Sequence, residues 1–113
     1  MISVCFFKNE GGVRGFECKG HAGYAESGSD IVCAAVSMLV INTINSIESF
    51  TGCDFTCSQD EKKGSIYFML KGNGNEKSRV LIDALMLGLK DARDEYGNDY
   101  IQIKIKETED RDA

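Results

Sequence analysis

At 113 residues the chain can hold one ordinary domain with one core and is too short for two. Its 42% apolar and 27% charged content is that of a globular protein, and a net charge of -5 argues against phosphate-backbone binding as the main activity, which needs a basic surface. No window approaches the ~18 apolar residues of a membrane span, and the opening MISVCFFKNE has no basic n-region or small-residue cleavage site, so no signal peptide is expected.

Taken in chain order, Met1 to Lys8 and Val13 to Lys19 are rich in β-branched and aromatic residues, and NEGG between them signals a hairpin. A two-residue turn at Gly11-Gly12 would set Cys5 directly opposite Cys18. Ile31 to Phe50 predicts a helix, with Ser29 or Asp30 as N-cap and Gly52 just beyond its end. Its first three turns are apolar nearly all round (Ile31, Val32, Val36, Met38, Leu39, Val40, Ile41), so this part is expected to be buried. Ile44, Ile47 and Phe50 then recur three residues apart.

Cys53 to Cys57 and Ser65 to Lys71 predict a second strand pair around the charged turn SQDEKKG, and residues Gly72 to Asn75 a loop. Glu76 to Tyr96 carries Leu81, Leu85, Leu89, Ala92 and Tyr96 at helical spacing before the stop at Gly97. Tyr100 to Lys106 alternates as a strand with one buried face. The whole chain, 1–113, is read as a single domain with the last residues, 107–113, as a solvated tail. The order ββαββαβ predicts a two-layer α+β fold: a largely antiparallel sheet with two helices on one face.

Five cysteines without an export signal suggest a reducing compartment, the cytoplasm, and free thiols, since an odd count cannot pair completely within one chain. One of them stands out. The stretch GHAGYAESGSDIVCAAVS, Gly20 to Ser37, begins with the chain's single histidine, His21, and reaches Cys33 in the first turn of the predicted helix. With Asp30 as N-cap, Cys33 occupies N3, where unpaired backbone N–H groups and the helix dipole favour a thiolate. The same donors could hold an oxyanion after attack on a carbonyl, and His21 is the only imidazole available as general base or ion-pair partner.

The segment from Gly20 to Asp30 spans eleven residues, a length more often functional than connective. Gly20, Gly23 and Gly28 would let it fold back and move. Ser37 lies one helical turn after Cys33 on the same face. A blander reading stands beside this one: Cys33 as a small buried hydrophobe, His21 as a surface or capping residue, Asp30 as a helix cap rather than a third catalytic member.

KGNGNEKS, between a strand and a helix, lacks the Gly-Lys-Ser/Thr of a phosphate-binding loop and places Glu76 where phosphate would be repelled, so Asn75 is read as a helix cap. Cys53 and Cys57, with Cys5 and Cys18, could be imagined around zinc. C-x₃-C on a strand is not a knuckle spacing, and core packing is the expectation. Neither a metal nor a cofactor is expected.

GHAGY followed by SGSDIVCAAVS resembles the signature of the bacterial ribosomal-processing cysteine protease family, and the resemblance covers nearly the whole chain in length and element order. It implies a small α/β homodimer that removes a short N-terminal extension from a large-subunit ribosomal protein. The family's histidine matches His21, its nucleophile Cys33 and its motif aspartate Asp30, while Gly20 and Ser37 match the motif glycine and serine. A mobile loop between histidine and cysteine is implied too, in which Gly23, Tyr24, Gly28 and Ser29 would meet substrate. The partners expected are a ribosomal-protein extension and a second copy of the chain, with no direct nucleic acid and no membrane. Two rival functions are a non-enzymatic ribosome-assembly or protein-binding domain and a thiol redox protein using Cys33.

Overall fold

The computed structural model describes residues 1–26 and 30–108, so Gly28, Ser29 and the end of the expected tail lie outside the described residues. The elements follow in the order expected: β1 (Ile2–Asn9), β2 (Gly12–Lys19), α1 (Ile31–Phe50), β3 (Phe55–Asp60), β4 (Ser65–Leu70), α2 (Glu76–Tyr96) and β5 (Ile101–Glu107). They form a two-layer α+β fold with one five-stranded sheet in the order β3-β4-β2-β1-β5. All neighbours are antiparallel except β1 and β5, which run parallel at one end of the sheet.

Alternation along the strands sends one set of side chains to the helices. Val4 and Phe6 of β1, Phe16 of β2, and Phe68 and Leu70 of β4 are fully or almost fully buried there, against Val32, Val36, Val40 and Ile47 of α1 and Ile82, Leu85 and Leu89 of α2. Phe68 stacks on Phe16 at 5.0 Å between ring centroids and packs against Phe55 at 4.9 Å. The helices start where local chemistry dictates. Asn75 caps α2 in a reciprocal capping box with Ser78, and its side-chain amide donates to the carbonyl of Thr51 at 2.9 Å, tying the start of α2 to the end of α1.

The hairpin register differs from the one expected. Asn9 pairs with Gly12, so the turn falls at Glu10-Gly11, where the Asn9 side chain accepts the Gly11 N–H at 2.8 Å. The register then shifts between Phe7 and Lys8, leaving Arg14 as the extra residue of a bulge. Cys18 therefore stands opposite Val4, and Cys5 opposite Glu17. Because a one-residue slip reverses the face, Cys18 joins the helix-side core while Cys5 points to the other face. The bulge also turns Arg14 inward to donate to the carbonyls of Leu70 at 3.0 Å and Gly72 at 3.1 Å, clasping the end of β4. Beside it Gly15 lies so close to β4 that a Cβ there would run into the Phe68 carbonyl oxygen.

Two further expectations need correction. The first half of α1 is not buried all round: Ile31 is 52% exposed, Met38 73% and Ile41 43%. A two-layer fold covers only the stripe Val32, Val36, Val40, Thr43 and Ile47, and Ile31, Met38 and Ile41 on the opposite face are exposed among the described residues. By length and composition α1 would also pass as a membrane-crossing helix, contrary to the reading of the sequence, although that buried stripe packs on the sheet. The second strand pair starts later than expected: Cys53 precedes β3, with its N–H donated to the Thr51 hydroxyl at 3.1 Å. Cys57 is exposed rather than part of the core, because β3 is an end strand with most of its side chains in solvent.

Candidate active site

Cys33 sits half-buried in the first turn of α1. Asp30 is the N-cap: one carboxylate oxygen accepts the N–H groups of Val32 and Cys33, both at 3.0 Å. The other accepts those of Tyr24 at 3.0 Å and Ala25 at 3.4 Å, so the same side chain starts the helix and pins the loop in front of it. These donors, the Cys33 N–H first among them, hold the Asp30 carboxyl below its usual range despite some desolvation. With both oxygens engaged by backbone, Asp30 makes no hydrogen bond to His21 among the described residues.

This capping overturns one sequence expectation. The first-turn N–H groups of Val32 and Cys33 are taken by Asp30 and are not free for an oxyanion. What reaches the sulfur instead is the Ala22 N–H, 3.2 Å from Sγ. Ala22 was not legible as a site residue, since the contact is made by its backbone and needs the loop to fold back onto α1.

His21 follows Gly20, whose φ of +90° and close approach to the Met1 carbonyl suit only a residue without a side chain. The imidazole is exposed and lies over Gly64 in the turn between β3 and β4. His21, Cys33 and Ser37 line a common cleft between the start of α1 and that turn, with Gln59, Asp60 and Glu61 on the far wall. The histidine and cysteine are thus brought together, but no hydrogen bond joins them in this form. Ser37 lines the cleft without a hydrogen bond to Cys33 among the described residues. Gly23, at φ +72°, has open space around it. Tyr24 turns away, with its ring edge-on to Tyr96 at 5.8 Å and Tyr100 at 5.1 Å, so this part of the loop rests on the end of α2 and the residue before β5.

Cys18 lines the inner end of the same cleft. Burial pushes its thiol up to about 11 from the ordinary 9.0, with the neighbouring Cys33 as the smaller cause. A thiol with a higher pKa in the folded chain favours folding fully below pH 9 and loses that contribution as the pH rises from 9 to about 11. The parent is therefore expected to lose roughly 2–3 kcal/mol more stability than Cys18→Ala between these limits, read from denaturant unfolding at pH 8 and pH 11. Equal pH dependence of the two proteins would mean that Cys18 meets solvent. No group of three His, Cys, Asp or Glu side chains is set to hold a metal ion among the described residues.

A half-buried thiol at a helix start thus shares a cleft with the chain's single imidazole on a two-layer α+β frame. The family model for cysteine protease Prp matches residues 1–102, and the chain belongs to that family. It is 30% identical to the ribosomal processing cysteine protease Prp of Bacillus subtilis over 89 residues, 75% of this chain and 80% of the relative. Among solved structures, it is similar to the essential ribosomal processing protease Prp of Staphylococcus aureus with a covalently linked product peptide, at 27% identity and a TM-score of 0.88, over 94% of this chain and all of the other. The same Staphylococcus aureus protease with a substrate peptide matches at 26% identity and a TM-score of 0.83, with the same coverage.

Proposed function

We propose that the chain is a cytoplasmic endopeptidase that removes a short N-terminal extension from a large-subunit ribosomal protein, with Cys33 as nucleophile and His21 as its acid–base partner. The observation that carries this reading is the cleft in which His21 and Cys33 meet, with the Ala22 N–H on the sulfur. His21 takes the Cys33 proton, the thiolate attacks the scissile carbonyl, His21 passes that proton to the departing amine, and water hydrolyses the thioester to give the new carboxyl group and restore the thiol. The hydrogen bond between imidazole and sulfur forms when substrate binds, as catalytic hydrogen bonds often tighten only then. Asp30 acts as cap and loop anchor, and Ser37 borders the substrate path from one turn along α1.

The same reading includes a homodimer. Ile31, Met38 and Ile41 form an exposed apolar stripe on α1 that a second copy would cover. The acidic chain suits a free basic ribosomal protein better than ribosomal RNA. The test is incubation of the purified protein with a ribosomal-protein precursor carrying its extension, read by intact mass beside His21→Ala, with sedimentation at micromolar concentration on the same sample. A single cut by the parent, none by the variant, and a dimer are expected. A folded parent that leaves the precursor whole would favour a protein-binding role instead.

A further inference from the structure

On the reading that His21 works with Cys33, we infer that Gly64, in the turn between β3 and β4, is a positioning residue that sets the imidazole over the cleft. His21 is exposed and has no hydrogen bond to its ring among the described residues, so its placement rests on what the ring lies against. That surface is Gly64. A Cβ built on Gly64 would stand 3.0 Å from both Cε1 and Nε2 of His21, closer than side-chain carbons ordinarily approach. A side chain there would therefore displace the ring edge by a few tenths of an ångström.

The turn that presents this surface is braced. The Asp60 carboxylate accepts the Lys63 N–H at 3.1 Å, and the Gly64 N–H donates to the Glu61 carbonyl at 3.3 Å. It is also fastened to the histidine's own segment, because the Gly20 N–H donates to the Gly64 carbonyl at 3.2 Å. Backbone and ring are thus both referenced to one residue on a different hairpin. Gly64 has two reasons to lack a side chain, its φ of +62° and the ring above it. The first would admit asparagine, which tolerates the left-handed region. The second requires the ring to give way by a few tenths of an ångström before any residue with a Cβ is admitted.

The chain supplies its own control for backbone strain. Gly52, at φ +71° after α1, has nothing within 4 Å of where a Cβ would be. Gly52→Ala therefore carries the conformational cost of Gly64→Ala without touching His21. The experiment records the imidazole Cε1–H resonance of the chain's single histidine and the kcat and KM of precursor cleavage for Gly64→Ala, Gly64→Asn and Gly52→Ala. Both Gly64 variants are expected to shift the resonance and lower kcat at least about tenfold with KM little changed, while Gly52→Ala keeps the parent values. Folded Gly64 variants with the parent's resonance would overturn the inference, as would a Gly52 variant that shifts it equally. If the parent cleaves no precursor, the peptidase reading fails, yet the resonance still decides whether Gly64 positions His21.

Discussion

Cys33→Ala is expected to lower cleavage of an extended ribosomal-protein precursor by at least about 10³-fold, the scale seen when a peptidase loses its nucleophile, while the protein stays folded. The two halves of that expectation have separate physical origins. The substitution deletes Sγ, the atom on which the Ala22 N–H converges. It leaves the start of α1 intact, because the cap uses the Asp30 carboxylate and the backbone N–H of residue 33 rather than its side chain. The stability change is limited to one weak N–H to sulfur contact and a small half-buried volume, about 1 kcal/mol. Intact mass of the precursor and a thermal melt of the variant check the two halves independently. Cleavage retained by a folded Cys33→Ala protein would remove Cys33 from the mechanism.

The largest expected loss of stability lies away from the cleft. Phe68 is fully buried in β4, stacked on Phe16 of β2 and packed against Phe55 of β3, so it joins the aromatic centre of three adjacent strands. Phe68→Ala is expected to cost about 3–5 kcal/mol, and to lower Tm by more than about 10 °C in a chain of this size. Denaturant unfolding gives the free energy directly, and a midpoint equal to the parent's would show that this ring is not the keystone of the packing. Because β4 leads out of the turn carrying Gly64, the loss should be accompanied by weaker cleavage as the transition is approached.

Much of the fold was legible because its signals are local. The bounds of α1 and α2 follow from caps that reach only two or three residues along the chain: Asp30 onto Val32 and Cys33, and Asn75 onto Ser78. Burial of Leu85 and Leu89 follows from helical spacing, and that of Val4 and Phe6 from strand alternation. The histidine and cysteine of the cleft were legible for another reason, as rare residue types at the two ends of a glycine-rich segment.

Where the reading failed, the deciding interaction was weaker than the pattern or distant in sequence. A side chain closing the Asn9 turn and one bulged residue at Arg14 moved the hairpin register by one, and with it the face of Cys5. The apolar wrap of α1 read as burial, yet only one stripe can meet a sheet in a two-layer fold. The capping of α1 consumed donors that the sequence left free for an oxyanion.

By itself, then, the sequence determined the elements, their order and the two residues of the cleft, since propensity, capping and periodicity act within a few residues. Only the tertiary structure decided that Ala22 points its N–H at Cys33, that Tyr24 lies on Tyr96 and Tyr100, and that the imidazole of His21 rests on Gly64. Those placements exist only once β2 and β4 pair and α1 folds back over them, because each joins segments that are brought close by the closed sheet and not by the chain.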